Sequence, residues 1–349
     1  HLVRQAQRSR PERVATLDTD ATVVQTWKKE AYYSYKGMRA YQPMNVLWRE
    51  QELVVHTEFR DGNVPANDEG LRVLKESLAM LPEGVREVYF RSDCAGYVHE
   101  LMGYMDDAVD EDSDALKRRF GRMGFAVGCP VTAEFKKALR EVEERDWHPL
   151  DVDPEGRLLP GGREWVEVCF VPNAIGHKKR GRQYRYLATR RALREPFLPG
   201  MAEQPDLPFP VMTWTERQYK VFALATNLEW SGKDIVVWHD QRCGQGEQMH
   251  AVLKNDLAGG RFPSGKFGAN AAWWWFAVLA FNVQSAMKRL VLPSAWRPWR
   301  MKTIRFHLLH LPARVIYHAN RLTIRLAANP HTLEMITQAR RRILALAPP

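Results

Sequence analysis

The sequence is long enough to bury a full hydrophobic core, and its composition excludes several classes of protein. At 349 residues it is expected to form two or three structural units, which excludes a peptide hormone or a small disulfide-stapled scaffold. Lys and Arg number 51 against 41 Asp and Glu, and the formal charge of +10 favours a polyanionic partner. The four cysteines lie too far apart for a CxxC redox pair or a zinc knuckle, which indicates a reducing, cytoplasmic setting.

No membrane-spanning or secretory segment is recognisable in the sequence. The longest apolar run, Ala269–Val283, is shorter than the ~20 residues that cross a bilayer. We expect this run to form a buried helix, with the core residues Trp273-Trp274-Trp275 inside it. The sequence begins at His1 within a charged stretch, so we expect a fragment that lacks an N-terminal part.

The first sixty residues predict short antiparallel strands. The extended stretches are Arg13–Thr19, Ala31–Tyr35, Asn45–Trp48 and Leu53–Phe59. A short polar break separates the last two stretches, which indicates a hairpin. The turn that follows contains Gly62 between two polar residues, and this glycine predicts a positive φ.

Helices and strands alternate over the next eighty residues. Asn67 is the expected N-cap of a helix with leucines at helical spacing. After the three antiparallel strands expected in the first sixty residues, a fourth strand, Val85–Phe90, ends just before Asp93, and a fifth, Phe125–Gly128, precedes a helix capped by Thr132. This alternation predicts an α/β fold with a mixed sheet.

Changes in residue composition along the sequence predict three structural parts. Residues 1–145 form the first part of an α/β core, and residues 146–235 form a mostly β insertion with frequent Pro and Gly. Residues 236–349 are expected to be helical, with prolines as breaks, and to begin with a helix over 245–256.

Three acidic residues occupy positions that suit metal-assisted cleavage of phosphodiesters. Asp20 ends the first strand, Asp93 follows the fourth, and Glu247 lies early in the helix after the insertion. Two Mg²⁺ ions about 3.5 to 4 Å apart need carboxylates that converge from separate elements. This placement predicts a ribonuclease-H-like sheet, with the insertion before the helix that carries Glu247. Asp18 points to the same face of its strand as Asp20, so strand geometry leaves both residues open.

Four segments together resemble a known family. They are Asp20-Ala-Thr, FRDGNVP, Arg91-Ser92-Asp93 and GEQMHAVLKNDLAGGRFPSGKFGANAAWWW. They look like the DDE transposases of bacterial insertion sequences, in the group with a Tyr-Arg-Glu-Lys signature. The resemblance runs from about Arg13 to Leu346. It implies that Asp20, Asp93 and Glu247 are the catalytic metal ligands, and it favours Asp20 over Asp18 because Asp20 directly precedes the Ala-Thr of the motif.

The signature itself is only half present. Lys254 follows Glu247 by seven residues, which matches the signature and implies a contact with DNA phosphate. The position of the signature's Arg falls on Cys243, while Arg242 stands one residue early, and the position of the Tyr falls on Asp240. We therefore assign DNA contact to Lys254 and Arg242 and regard the Tyr-Arg half as degenerate.

A basic segment within the insertion is the second candidate DNA contact. Its strand alternation places Tyr184 and Tyr186 on one face and Arg185 on the other. The alternative is a solvated strand edge that is protected by charge. The candidate contacts are Lys178, Lys179, Arg180, Arg182 and Arg185.

The resemblance implies a transposase that cuts transposon ends and joins the 3′ ends to target DNA. Its expected cofactor is a pair of Mg²⁺ ions, with Mn²⁺ as the alternative. Its expected partners are the double-stranded DNA of the terminal inverted repeats and the target, and a second copy in a synaptic homodimer, with no membrane. The expected location is the nucleoid of the bacterial cytoplasm, and a DNA-binding region would lie in the missing N-terminal part. Two alternatives remain: an inactive, transposase-derived DNA-binding protein, and a repair or resolving nuclease on the same fold.

Overall fold

The structure is a computed structural model that describes residues 2–172, 184–193, 209–215, 217–327 and 329–346. Within these ranges, no helix combines the length and the apolar character needed to cross a membrane. The strands are β1 (Val14–Ala21), β2 (Val24–Gln25), β3 (Ala40–Tyr41), β4 (Met44–Trp48), β5 (Leu53–Glu58), β6 (Glu87–Ser92), β7 (Gly124–Cys129), β8 (His148–Pro149), β9 (Arg163–Val168), β10 (Arg185–Ala192), β11 (Val211–Trp214), β12 (Arg217–Thr226), β13 (Ala313–His318) and β14 (Arg321–Leu326). The helices are α1 (Leu2–Ser9), α2 (Gly70–Met80), α3 (His99–Asp106), α4 (Ala115–Phe120), α5 (Ala133–Arg140), α6 (Gly232–Ala251), α7 (Phe267–Ala286), α8 (Met301–Ile304) and α9 (Pro330–Ala345).

A mixed sheet forms the centre of the fold, as the alternation of elements predicts. Its first five strands run in the order β5-β4-β1-β6-β7. β4 pairs antiparallel with β1 and β5, whereas β6 pairs parallel with β1 and β7. The register places Thr19 beside Ser92, so β1 and β6 end at the same edge of the sheet.

Helices cover both faces of this central sheet. α2 and α3 contact β5 and β7 on one face, and α6 lies across β1, β6 and β7 on the other. Because both faces are covered, the middle of β1 is buried on both sides, with Leu17 in one core and Asp18 facing α6. Alternation along β1 then directs Asp20 to the same side as Asp18.

The strands of residues 146–235 continue the same sheet. β12 pairs antiparallel with β7, and β10, β9 and β8 follow outward, while β11 pairs with the other part of β12. Tyr184 and Tyr186 are buried, as the alternation predicts. Within the described residues, the strands of both parts therefore belong to one ten-stranded sheet, in which β12 links them, while β2–β3 and β13–β14 form two separate two-stranded sheets.

Two predictions for the first sixty residues are wrong. Ala31–Tyr35 is no sheet strand: apart from an isolated bridge between Tyr33 and Arg39, the chain turns back through short β2 and β3. Three tyrosines of this stretch are exposed, so it lacks the buried face that a strand of the sheet requires. Gly62 is needed for close approach and not for a positive φ, because a Cβ there would lie 2.4 Å from the Ala40 carbonyl oxygen.

Predictions for helix ends and for the C-terminal part are confirmed only in part. Thr132 caps α5 as predicted, but α2 begins at Gly70 after Glu69, and Asn67 is not its cap. The predicted helical C-terminal part contains the β13–β14 hairpin, whose side chains are mostly exposed.

The apolar run 269–283 is helical but only partly buried. It lies within α7, where Trp274 is fully buried and Trp275 is 53% exposed. The three tryptophans point in different directions around the helix, so only one of them reaches the core.

Candidate functional site

The candidate site lies between the sheet and α6, above a buried ion pair. Arg91 Nε and Nη2 donate to Asp18 Oδ1 and Oδ2 at 2.6 and 2.7 Å. Arg91 Nη1 donates to the carbonyl oxygen of Trp238 on α6. Both carboxylate oxygens of Asp18 are thus engaged by a guanidinium that is fully buried. Asp18 therefore fastens α6 to the sheet.

Asp20 and Asp93 lie together at the carboxyl ends of β1 and β6. Both residues line one small cavity at this edge of the sheet. Asp93 Oδ1 accepts from Ala95 N at 3.0 Å and so caps the short 3₁₀ turn Cys94–Gly96. Gly128 on β7 leaves the room for this turn, because a Cβ there would lie 2.8 Å from Cys94 N. Strand order and one glycine thereby position Asp93 beside Asp20.

Burial of Asp20 raises its pKa to about 6. The positive charge of Arg242 opposes this rise, and the negative charge of Asp93 adds to it. Arg242 Nη1 lies 3.9 Å from Asp20 Oδ2. Two adjacent carboxylates, one of them costly to ionise, form a donor set that suits a hard divalent cation.

His250 of α6 faces Asp20 through a chain of buried polar groups. Trp274 Nε1, which can only donate, lies 3.0 Å from Thr57 Oγ1. The Thr57 hydroxyl hydrogen is therefore free for an acceptor, and Asn45 Oδ1 at 2.8 Å is nearer than the Met44 carbonyl oxygen at 3.3 Å. This fixes the Asn45 amide so that Nδ2 faces His250 Nε2 at 3.5 Å. We call the four residues Trp274, Thr57, Asn45 and His250 the polar relay.

The polar relay determines which nitrogen of His250 carries the proton. Since Asn45 Nδ2 donates to Nε2, the proton of a neutral ring lies on Nδ1. Nδ1 is 3.6 Å from Asp20 Oδ2. Burial lowers the pKa of His250 to about 4, with further lowering by the charges of Lys254 and Arg242. A neutral imidazole thus presents an N–H group to Asp20.

A second buried histidine of α6 contacts the end of β6, directly before Asp93. His239 Nε2 lies 2.9 Å from the carbonyl oxygen of Ser92, so Nε2 carries the proton. Burial lowers the pKa of His239 to about 3. His239 and His250 were not predicted as site residues. Their positions at helical spacing from Arg242 on the same helix were the available signal.

Arg242 and Lys254 both border Asp20. Arg242 Nε has no hydrogen-bond partner within the described part of the chain, although the side chain is only 12% exposed. Lys254 Nζ donates to Thr22 Oγ1 at 2.9 Å. Burial lowers the pKa of Lys254, and the charge of nearby Lys36 lowers it further. Asp240, at the position of the signature's Tyr, instead pairs with Arg163 of β9.

Glu247 is not brought to the two aspartates. Its side chain is exposed, and within the described residues it makes no ion pair with the site. Among the same residues, no group of three His, Cys, Asp or Glu side chains is arranged to hold a metal ion. The side of α6 towards the sheet is formed by Arg242, Gly246 and His250 at steps of four residues. Glu247 lies one residue past Gly246, about 100° further around the helix.

The predicted DNA contacts of the insertion are placed only at Arg185. Arg185 Nε and Nη2 donate to Glu167 at 2.8 Å, and Nη1 donates to the carbonyl oxygens of Leu228 and Trp230. Four of its five N–H groups are thereby used within the protein. The other four candidates, Lys178, Lys179, Arg180 and Arg182, lie outside the described residues.

Comparison with known proteins finds a family match in the C-terminal part of the chain. Residues 212–348 match the family model described as transposase DDE domain group 1, which confirms the resemblance to DDE-type transposases. Among solved structures, the chain is similar to a piggyBac transposase synaptic complex with hairpin DNA, solved by cryo-EM, at 10% sequence identity and a TM-score of 0.37. That similarity covers 88% of this chain, and this chain spans 60% of the length of the piggyBac chain. None of the curated proteins matches the sequence.

Proposed function

We propose that this chain, whose residues 212–348 match a transposase DDE domain, is the catalytic part of a DNA transposase with a ribonuclease-H-like core. The observation that carries the proposal is the position of Asp20 and Asp93. They stand side by side at the ends of two adjacent parallel strands, below the helix that carries Arg242 and Glu247. The order β5-β4-β1-β6-β7, in which only β4 runs opposite to the other four strands, supports the assignment of the core.

Asp20 and Asp93 would hold divalent metal in this site, as a pair of Mg²⁺ or Mn²⁺ ions. Such ions supply an activated water and stabilise the leaving oxygen of a phosphodiester. The donor set fits, because both groups are carboxylates and the positive charge of a metal would lower the raised pKa of Asp20. The proposal retains Glu247 as the third ligand because it lies in the matched segment, seven residues before Lys254.

The cationic side chains around Asp20 would bind the DNA backbone. Arg242 has an unused Nε, and Lys254 is held beside Asp20 by Thr22. Both side chains can donate to phosphate oxygens of a strand that enters the site. The neutral His250 places an N–H group toward one oxygen of Asp20 and so orients the carboxylate.

We further propose that the chain acts in cut-and-paste transposition of a bacterial insertion sequence. Its substrates would be the double-stranded terminal repeats and a target DNA, bound by a homodimer in the nucleoid of the cytoplasm. The net charge of +10 supports a DNA partner. The three parts 1–145, 146–235 and 236–349 would form a core, an insertion joined to its sheet, and the helix of Glu247 with the C-terminal region.

Cleavage of a plasmid that carries the element's two ends tests the proposal. In Mg²⁺ or Mn²⁺, the parent protein is expected to release the ends, and Asp93→Asn and Glu247→Gln are expected to lower the rate at least 100-fold each. Glu111→Gln, a change of the same kind in an exposed acidic loop, is the matched control and should cleave at the parent rate. Unchanged cleavage by Asp93→Asn would show that the catalytic assignment is wrong.

The same experiment separates the two alternatives. Binding of end DNA without metal-dependent cleavage would indicate an inactive DNA-binding protein. Cleavage without joining of the 3′ ends to a second plasmid would favour a repair or resolving nuclease. Joined products whose formation requires Asp93 would support transposition.

A further inference from the structure

A loop between β2 and β3 exposes four aromatic rings. Trp27 is 88% exposed, Tyr35 77%, Tyr33 60% and Tyr32 59%. We call residues 26–39 the aromatic loop. Exposed large apolar groups that cluster in this way mark an interaction site, because each ring in water loses the stabilisation that burial would provide.

Basic side chains are interleaved with these rings. Lys36 Nζ lies 5.6 Å from the ring centre of Tyr35, and Arg39 Cζ lies 4.9 Å from that of Tyr33. Lys28 and Lys29 directly follow Trp27 in the sequence. The loop's one acidic side chain, Glu30, accepts from Phe267 N at the start of α7. The loop therefore offers aromatic faces together with a positive charge.

The backbone of the aromatic loop is held in place. Arg39 Nη1 donates to the carbonyl oxygens of Lys29 and Ala31 at 2.8 and 2.6 Å. Tyr32 N donates to Asp61 Oδ1 at 3.1 Å. Gly62 allows the backbone of the aromatic loop to approach it closely, since a Cβ at Gly62 would lie 2.9 Å from the Tyr32 carbonyl oxygen. The rings are thus presented on an ordered support, which reduces the entropy that binding must cost.

The aromatic loop starts beside Asp20. β2 begins two residues after Thr22, whose hydroxyl accepts from Lys254. Lys36 lies close enough to Lys254 for its charge to lower the pKa of Lys254. A strand bound at Asp20 can therefore continue over the loop.

We propose that the aromatic loop binds unpaired nucleotides of a DNA strand next to the cleavage site. Exposed rings can stack on bases only where the bases are unpaired, since the faces of bases inside a duplex are covered by their neighbours. Lys28, Lys29 and Lys36 meet the phosphates of the same strand. The position next to the cut rests on the proposed function, whereas the affinity for unpaired nucleotides does not.

Fluorescence anisotropy in EDTA tests the binding without catalysis. The probes are a labelled blunt duplex and the same duplex with a six-thymidine single-stranded extension. We expect the parent protein to prefer the extended duplex. Trp27→Ala with Tyr35→Ala should lower the affinity for it about tenfold or more and leave blunt-duplex affinity unchanged, because stacking contributes roughly 1–3 kcal/mol per base.

Two variants control this measurement. Trp27→Phe with Tyr35→Phe keeps the rings and should retain the preference. Tyr317→Ala removes a ring that is 70% exposed on the β13–β14 hairpin and should also retain it. Photocrosslinking of 5-iodouracil in the extension is expected to label Trp27 or Tyr35, as identified by mass spectrometry.

Three results would overturn the inference. The first is unchanged affinity of the alanine variant for the extended duplex. The second is an equal loss on both probes, which would indicate a general phosphate-binding surface. The third is a change in oligomeric state without a change in DNA affinity, which would make the loop a protein interface. None of these results depends on Asp93 or Glu247, so the inference and the proposed function can fail separately.

Discussion

Asp20 carries a free-energy cost that its position in the fold explains. Its pKa rises from an ordinary 3.8 to about 6 because burial disfavours the charged carboxylate. Between these two pH values the folded state binds a proton that the unfolded state has lost. The protein is therefore more stable with Asp20 protonated than with Asp20 ionised. This extra stability is fully present at low pH and is lost as the pH rises through about 6.

Asp20→Asn should therefore stabilise the protein at neutral pH while abolishing cleavage. The rise in pKa from 3.8 to about 6 corresponds to a gain on the order of 3 kcal/mol in the free energy of unfolding at pH 7.5. The gain should shrink toward zero as the pH falls below 4. Urea unfolding of both proteins at several pH values measures the difference. His239 bonds the Ser92 carbonyl oxygen in both proteins, so its own pH dependence largely cancels in the difference. A constant difference across this pH range would contradict the assigned cause.

Adding Mg²⁺ provides a control for the same variant. Metal that binds Asp20 and Asp93 should raise the stability of the parent protein and have a smaller effect on Asp20→Asn. Equal stabilisation of both proteins would place the metal elsewhere.

The polar relay predicts which ring nitrogen of His250 carries the proton. In the parent protein, ¹⁵N NMR should show the Nδ1–H tautomer for His250, because Asn45 donates to Nε2. Asn45→Asp has a side chain that only accepts, so a proton must then occupy Nε2, and the ¹⁵N signal of that nitrogen should move to the protonated position. The exposed His318 serves as an internal reference that should not move. An Nε2–H tautomer in the parent protein would show that the order of donors in the relay is wrong.

At the scale of single elements, the first half of α6 is held by contacts with the sheet, whereas its second half contains residues of low helix propensity. The Asp18–Arg91 pair and His239 fasten its first half to the sheet. Gly244 and Gly246 then lie within the continuous helix on either side of Gln245, and each costs about 0.5–1 kcal/mol relative to Ala. A π-helical turn, Val252–Asp256, follows directly. Glu247 thus lies where we expect the helix to adjust most readily, and its proposed role as third metal ligand would require such an adjustment.

Gly244→Ala tests whether that adjustment accompanies metal binding. No atom lies within 4 Å of a Cβ at Gly244, so alanine should raise the free energy of unfolding by about 0.5–1 kcal/mol. Because a stiffer helix resists turning Glu247 inward, Mn²⁺ affinity measured by EPR should fall severalfold. Gly268→Ala, at an equally open position near the start of α7, should leave Mn²⁺ affinity unchanged. Parent-like Mn²⁺ binding in a stabilised Gly244→Ala would count against the adjustment.

The sequence predicts elements well where one physical rule dominates. Alternating apolar residues identify β4 and β5, and buried runs identify β6 and β7, so the edge at which Asp20 and Asp93 meet follows from the strand ends. The tyrosines over 31–35 have strand propensity, but they are exposed among the described residues, and the stretch becomes a loop. The angular position of Glu247 on α6 depends on which side chains of the helix reach the sheet, and spacing to Lys254 does not encode it.

At the scale of the whole molecule, pairing between distant segments assembles the site. β12 closes against β7 although about 90 residues separate them, and α6, which directly follows β12, then covers Asp20. The polar relay likewise joins two distant parts of the chain, since His250 lies 205 residues after Asn45 and Trp274 lies 217 residues after Thr57. Local propensity cannot predict such contacts, because each depends on sheet order across the full fold.

The long separation between β1 and α6 also sets the timing of assembly on the ribosome. Asp20 emerges more than 200 residues before Arg242 and His250, the side chains that later border it. At about 5–20 residues per second, the nascent chain spends roughly 10 to 45 s with an uncovered Asp20. A half-made chain therefore cannot form the assembled site, whatever its ligand, until synthesis has passed α6.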